Sequence, residues 1–136
     1  MSTKLNHIAI VVEDIDKAVA VYRDAIGLPL SAVHEEPAEA VKVAYFPTAT
    51  GEVELIQPTT ADSGVAKYLA KKGEGMHHVC LEVDNIEETV QAMTAKGMEV
   101  LGLIRTNTRG DRYIFIHPKS AHGVLIELYE PAGRNG

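Results

Sequence analysis

The sequence predicts an α+β protein built from two successive βαβββ modules. A segment at residues 6–15, NHIAIVVEDI, returns at residues 77–86 as HHVCLEVDNI. Each copy is followed later by a second matching segment, VELIQP at residues 53–58 and IELYEP at residues 126–131. A repeat of this kind is typical of a duplicated supersecondary unit, and 136 residues leave room for two small units.

Module 1, about residues 4–58, starts with a strand at residues 5–12, where Ile and Val dominate. Asp14 is placed to cap a helix, because its carboxylate can accept N–H groups of the first turn. Apolar residues then recur at helical spacing until Gly27, a natural helix end. Further strands are predicted at residues 28–33, 41–46 and 53–57, with residues 35–39 as a solvated loop.

A short helix at residues 65–72 is predicted between the modules, with Asp62 or Ser63 as its cap and Gly73 as its end. Module 2, about residues 76–131, repeats the order of module 1. Its first strand is followed by a helix for which Asp84 and Glu87 resemble a capping box. The module 2 strands are predicted at residues 79–83, 99–104, 113–117 and 123–129, with a polar loop at 106–111 and a frayed tail at 132–136.

Composition excludes several classes of function. The net charge of −6 disfavours nucleic acid and acidic membrane surfaces as partners, and no apolar stretch approaches a membrane span. The start of the chain lacks the apolar core of a secretion signal. Cys80 has no second cysteine to pair with, which fits a reducing compartment, and its strand position favours a core role. The sequence therefore predicts a soluble cytoplasmic protein.

Four residues are the candidate metal ligands, because the repeat places one histidine and one glutamate at matching offsets in each module. Glu54 lies 47 residues after His7, and Glu127 lies 49 residues after His78. Imidazole nitrogens and carboxylate oxygens suit Mn, Fe, Co, Ni or Zn. A lone strand histidine is more often a hydrogen-bonded core residue, but four such residues at matched offsets are hard to explain that way.

Two other polar segments, at residues 77–78 and 117–120, contain further candidates. His77 and His78 point to opposite faces of a strand, and the repeat aligns His78 with His7, so His78 is the predicted ligand. Lys119, in the segment HPKS at residues 117–120, is a candidate for binding a substrate anion. An exposed turn after a strand explains the same segment equally well.

At these residues the chain resembles the vicinal oxygen chelate superfamily and, within it, the methylmalonyl-CoA epimerases. The resemblance covers almost the whole chain. The segments that carry it are NHIAI at 6–10, VELIQP at 53–58, GEGMHH at 73–78, FIHPKS at 115–120 and GVLIEL at 123–128. GMHH and HPKS point to the epimerases, whereas the other segments are shared across the superfamily.

The resemblance implies a single domain, residues 1–136, in which two paired βαβββ modules form a cupped, barrel-like mixed sheet around a divalent metal. The implied ligands are the same four residues, His7, Glu54, His78 and Glu127. Cobalt is the first choice of metal, with Mn²⁺, Ni²⁺ or Zn²⁺ as alternatives, and a homodimer is expected.

The predicted reaction is the epimerisation of (R)- and (S)-methylmalonyl-CoA by 1,1-proton transfer through a metal-stabilised enolate, with Glu127 as ligand and catalytic residue. The alternatives are a glyoxalase-I-like lactoylglutathione lyase and a non-catalytic protein that sequesters a small molecule. The chain departs from the family at two places. Some epimerases carry a glutamate, proposed as a base, where this chain has Val43, and residues 107–112 replace a Gly-rich loop.

Overall fold

The computed structural model describes residues 4–133, which divide into two compact units. One unit contains residues 7–77, and the other contains residues 4–6 together with residues 78–133. Both modules have the order strand, helix and three strands, so the predicted α+β class with two βαβββ modules is confirmed. Within the part of the chain that is described, no helix is long and apolar enough to cross a membrane.

The strands of module 1 are hydrogen-bonded in the order β2-β3-β4-β1. β1 and β4 run parallel, while β3 is antiparallel to both of its neighbours. The elements are β1 Lys4–Val11, α1 Ile15–Val19, β2 Ala32–Glu36, β3 Val41–Thr48 and β4 Gly51–Pro58, followed by α2 Gly64–Lys72. The predictions for β1, β3, β4 and α2 are correct to within a few residues.

The first helix begins where the sequence places it. The Asp14 carboxylate accepts the N–H groups of Asp16 and Lys17 at 3.0 and 3.2 Å. α1 then continues as a π-helix over Ala20–Ala25, and the chain turns away at Gly27, whose φ of +92° suits glycine. The Ser63 hydroxyl caps α2 by accepting the Ala66 N–H at 3.0 Å, and Gly73 ends that helix, also as predicted.

The prediction for residues 28–39 is wrong in two respects. β2 begins at Ala32 rather than residue 28, and its last two residues, Glu35 and Glu36, belong to the strand and not to a loop. Glu35 lies opposite Lys42 of β3, and such oppositely charged cross-strand pairs stabilise a solvated edge strand. Pro37–Glu39, within the segment predicted as a solvated loop, forms a 3₁₀ turn.

Module 2 forms a second set of strands in the order β5-β8-β7-β6. β5 and β8 run parallel, and β7 is antiparallel to both β8 and β6. The elements are β5 Gly75–Glu82, α3 Ile86–Ala95, β6 Val100–Thr106, β7 Arg112–Ile116 and β8 Ile126–Glu130. The predicted last strand therefore starts three residues too early, because a 3₁₀ turn over Pro118–Ala121 extends the connection.

The cap of α3 is Asn85 and not Asp84. The Asn85 side-chain carbonyl accepts the N–H of Glu88 at 3.0 Å. The repeat aligns Asn85 with Asp14, so the internal symmetry is a better guide to the cap than the capping-box spacing. The predicted frayed tail includes residues 134–136, which lie outside the described residues.

Each sheet buries one face against its own helix and carries its candidate ligands on the other, which is called the site face below. In module 2, Val83, Ile114 and Leu128 pack with Ile86 of α3. The opposite face carries Cys80, Tyr113 and Tyr129, so Cys80 is a buried core residue, as predicted. In module 1 the site face is apolar and is covered by α2; its members are Ala9, Val11, Val41, Val43, Tyr45 and Ile56.

Candidate metal centre

His7 and Glu54 meet on neighbouring parallel strands of module 1. The β1–β4 register pairs Ala9 with Glu54, and His7 lies two residues before Ala9 on the same face. His7 Nδ1 is 3.1 Å from Glu54 Oε2. The two residues are only 5% and 8% exposed, so a polar pair is held within an apolar sheet.

His78 and Glu127 form the corresponding pair in module 2. The β5–β8 register pairs Cys80 with Glu127, which is the same offset that relates Ala9 to Glu54. His78 Nε2 is 3.0 Å from Glu127 Oε1, and both residues are buried. The His78 ring also packs edge-on against Phe115, with 5.2 Å between ring centroids. The sequence repeat therefore reappears as a repeated geometry.

The donor spacing in each pair fits a divalent metal ion. Two ligand atoms at right angles on an ion, with bonds of about 2.1 Å, lie about 3.0 Å apart. The distances of 3.1 and 3.0 Å match this value. The same separation suits an N–H···O hydrogen bond, so each pair is also satisfied without an ion. The four-ligand site stays a prediction, but each of its halves is assembled.

His77 takes a different environment from His78. Its ring packs edge-on against Tyr68 of α2, with 4.7 Å between centroids, and the Tyr68 hydroxyl donates to the Met76 carbonyl at 2.9 Å. His78, the ligand that the repeat predicts, is in contact with Glu127.

Lys119 lies exposed in the 3₁₀ turn between β7 and β8. The turn is fixed by two side chains. His117 Nδ1 accepts the Lys119 N–H at 3.1 Å, and Ser120 Oγ accepts the Glu99 N–H at 2.9 Å. The role of Lys119 in substrate binding stays a prediction.

Val43 is 4% exposed and lies in the apolar cluster of the module 1 site face with Ala9 and Ile56. An ionised carboxylate at this place would lose its solvation without gaining a partner in that cluster. The replacement of glutamate by Val43 is therefore accompanied by matching apolar surroundings.

Sequence reasoning missed two residues that support the site from the ends of β4 and β8. The Gln57 side-chain carbonyl accepts the N–H of Ile15 at 2.7 Å, and the Glu130 carboxylate accepts the N–H of Ile86 at 3.0 Å. Each lies three residues after a candidate ligand, Glu54 or Glu127, so the repeat carried the signal. These contacts fix the start of each helix relative to the strand that carries the glutamate.

A second missed feature is a buried polar network on the site face of module 2, in the segment predicted only as a polar loop. The Tyr129 hydroxyl donates to the Asp111 carboxylate, and the Ala132 N–H donates to the same carboxylate at 2.7 Å. The Asn107 amide donates to the Tyr129 hydroxyl at 3.1 Å. Tyr129 and Asp111 are 6% and 9% exposed, so their hydrogen bonds are needed to offset burial.

The network shifts the titration of both groups. Burial alone would raise the pKa of Asp111, but the hydrogen bonds from Ala132, Tyr129 and Asn107, with the charge of Arg109, lower it below its usual value. Burial and then the hydrogen bond to Asp111 raise the pKa of Tyr129 well above its ordinary value. Tyr129 is thus a neutral donor and Asp111 an ionised acceptor at neutral pH.

Comparisons with known proteins place the chain in a family. The model described as Glyoxalase/Bleomycin resistance protein/Dioxygenase superfamily matches residues 6–115. The chain therefore belongs to this superfamily, and the predicted resemblance is confirmed.

Within the superfamily, the chain is similar to methylmalonyl-CoA epimerases. It is 39% identical over 127 residues to the mitochondrial methylmalonyl-CoA epimerase of Mus musculus, covering 92% of this chain and 71% of that protein. It is 34% identical over 131 residues to the ethylmalonyl-CoA/methylmalonyl-CoA epimerase of Cereibacter sphaeroides, covering 94% and 98%.

Solved structures agree with this placement. The crystal structure of methylmalonyl-CoA epimerase from Mycobacterium tuberculosis matches with a TM-score of 0.88 at 31% identity, over 97% of this chain and 90% of that one. A variant of the Streptomyces coelicolor methylmalonyl-CoA epimerase, in complex with 2-nitronate-propionyl-CoA, matches with a TM-score of 0.89 at 33% identity, over 98% and 97%.

Proposed function

We propose that this protein is a metal-dependent isomerase that interconverts (R)- and (S)-methylmalonyl-CoA by 1,1-proton transfer. The observation that carries the proposal is the pair of buried His–Glu contacts, repeated at the same register in both modules. The similarity to methylmalonyl-CoA epimerases supports the choice of substrate.

We propose that the two modules form one domain in which His7, Glu54, His78 and Glu127 hold one divalent ion, with cobalt as the first candidate. Four protein donors on an ion that prefers six leave two positions for substrate oxygens. An ion there would polarise the thioester carbonyl and lower the cost of removing the proton from the neighbouring carbon.

The proton steps fall to side chains of this chain. A base removes the proton from C2 on one face of the acyl group, and a protonated group returns a proton to the other face. Glu127 is our candidate for one of these roles, in addition to its role as ligand. Val43 is excluded because it has no titratable group. Lys119 is the proposed contact for an anionic part of the acyl-CoA.

We propose further that the protein is a homodimer in the cytoplasm, with an acyl-CoA as its small-molecule partner. Cys80 is buried, and the sequence contains no second cysteine with which it could form a disulfide, which is compatible with a reducing compartment.

Hydrogen exchange at C2 tests the proposal. Methylmalonyl-CoA incubated in deuterated water with cobalt-loaded protein should gain one deuterium at C2 by mass spectrometry, while chromatography should detect interconversion of the epimers. Glu127→Gln should slow exchange by at least about 100-fold, the size of effect expected for a positioned acid–base group. Glu87→Gln, an exposed change on α3, is the matched control and should exchange at the wild-type rate.

Two outcomes would contradict the proposal. Turnover of the hemithioacetal of methylglyoxal and a thiol, without exchange in methylmalonyl-CoA, would favour the lactoylglutathione lyase alternative. Tight binding of a ligand without turnover in either assay would favour a sequestering protein. Unchanged exchange in Glu127→Gln would remove that residue from proton transfer.

A further inference from the structure

The turn between β6 and β7 is tied down from within. The Asn107 side-chain carbonyl accepts the backbone N–H groups of Arg109 and Asp111, both at 3.0 Å. The Asp111 carboxylate connects the turn to Tyr129 of β8 and to Ala132 beyond it, because it accepts from the Tyr129 hydroxyl and from the Ala132 N–H. The backbone of Arg109 is therefore held in place by polar contacts on both sides.

The Arg109 side chain reaches over the site face of module 2. Arg109 Nη2 donates to the Tyr129 hydroxyl at 3.1 Å, and Arg109 Nε lies 3.5 Å from Asp111 Oδ2. The side chain nevertheless remains 55% exposed, so its guanidinium is fixed on one side and accessible from solvent.

Through Tyr129, Arg109 is linked to the strand that carries the candidate metal ligand Glu127. Tyr129 lies two residues after Glu127 on β8, so the two side chains leave the same face of the strand. Their Cα atoms are about 7 Å apart. Arg109 is therefore a cation at the edge of the candidate site, on the opposite side of Glu127 along β8 from the turn that carries Lys119.

The network does not require Arg109 for its own stability. The Asp111 carboxylate already accepts from the Tyr129 hydroxyl and from the Ala132 N–H, and the Tyr129 hydroxyl already accepts from Asn107. A half-exposed ion pair adds little to folding. Arg112 provides the contrast, since its guanidinium forms two hydrogen bonds with Glu87 of α3, at 3.0 and 2.8 Å, on the other face of the sheet.

We propose that Arg109 binds an anionic group of the substrate, either the carboxylate of the acyl group or a phosphate of the CoA. A planar guanidinium held from one side can present paired N–H donors to the oxygens of such a group. In a chain of net charge −6, a fixed cation at this place would also favour the approach of an anionic substrate over other surfaces. The inference rests on the proposed function, because that function supplies the anionic thioester.

Equilibrium binding by calorimetry tests the inference apart from turnover. The metal-loaded full chain would be titrated with three probes: methylmalonyl-CoA, propionyl-CoA, which lacks the carboxylate, and methylmalonyl-pantetheine, which lacks the nucleotide. Arg109→Gln should weaken methylmalonyl-CoA binding by about 10- to 100-fold, as expected for loss of a charged hydrogen bond. Arg109→Lys should recover part of the loss, and Arg112→Gln should bind every probe as the wild type does.

The probes separate the two sources of negative charge. A loss confined to methylmalonyl-CoA and methylmalonyl-pantetheine assigns Arg109 to the carboxylate, whereas a loss confined to the two CoA thioesters assigns it to a phosphate. No loss with any probe overturns the inference, and so does an equal loss with all three, which would indicate a structural role. A wild type that binds none of the probes overturns the inference and the proposed function together.

The binding and exchange experiments together distinguish failure of the Arg109 inference from failure of the proposed epimerisation. If the wild type exchanges deuterium and Arg109→Gln binds normally, only the Arg109 inference fails. If the wild type binds the probes with the predicted Arg109 dependence but does not exchange, only the proposed epimerisation fails.

Discussion

The two modules repeat the same His–Glu pair but surround it differently. In module 1 the site face is apolar, and Val65 of α2 packs on Val43 and its neighbours. In module 2 the site face carries the Asn107, Asp111 and Tyr129 network with Arg109 at its edge. The difference teaches that the repeat preserves the register of the His–Glu pair, while the side chains around each pair differ between the modules.

The largest expected loss of stability follows from disrupting the polar network of module 2. Asp111→Ala should lower the free energy of unfolding by about 2–3 kcal/mol, because it leaves the Tyr129 hydroxyl and the Ala132 N–H without their acceptor. Val43→Ala in module 1 should cost a similar amount through a cavity instead. Urea unfolding of both variants at neutral pH measures the two values.

Acid distinguishes the two variants. The folded pKa of Asp111 is lower than the ordinary value of 3.8 for this group, so its contribution to stability is fully present above that value and is lost as the pH falls through the folded pKa. The difference between wild type and Asp111→Ala should therefore shrink below about pH 4, whereas the effect of Val43→Ala should persist wherever the protein remains folded. An acid-independent difference for Asp111→Ala would contradict the network as described.

Gln57 and Glu130 accept N–H groups at the starts of α1 and α3, and the two side chains should contribute similar amounts to the free energy of unfolding. Gln57→Ala and Glu130→Ala should each cost about 0.5–2 kcal/mol, because each leaves a helical N–H group without its acceptor. Thermal unfolding of both variants measures the cost. A large loss of stability in one variant and none in the other would mean that the two corresponding contacts do not contribute equally to stability.

The smallest effect concerns two residues with positive φ, one in each module. Ala40 and His122 have φ of 52° and 55°, and each follows a 3₁₀ turn that begins with proline. Glycine adopts this conformation without strain, so Ala40→Gly and His122→Gly should each stabilise the protein by about 0.5–1 kcal/mol. Ala38→Gly is the control for Ala40 and should not stabilise, because Ala38 has no positive φ.

Much of the fold could be predicted because apolar periodicity and helix caps are properties of short segments, and the repeat presents the same pattern twice. β1, β3, β4 and α2 follow from short apolar runs and recognisable caps. β2 could not be placed from its sequence, because its pairing with β3 decides its extent and its residues are largely solvated. The Asn85 cap was missed because Asp84 satisfies the same local pattern one residue earlier.

Part of the candidate site could also be predicted from the sequence. The repeat identified His7, Glu54, His78 and Glu127, and the structure places the members of each module's pair in contact. The network around Asp111 could not be predicted, because it depends on Tyr129 and Ala132, which are distant from residue 111 in sequence. Polar loops give no signal of which partner they will meet across a sheet.

Metal content tests most directly the central claim that both pairs serve one ion. After equilibration with Co²⁺ and removal of free ion, wild-type protein analysed by mass spectrometry should hold about one ion per chain, the content expected if the four donors form a single site. His7→Ala and His78→Ala should each weaken binding by about 10- to 100-fold or more, while His77→Ala, whose ring packs on Tyr68, should retain the ion. Two ions per chain, or wild-type affinity in either His7→Ala or His78→Ala, would contradict the shared centre.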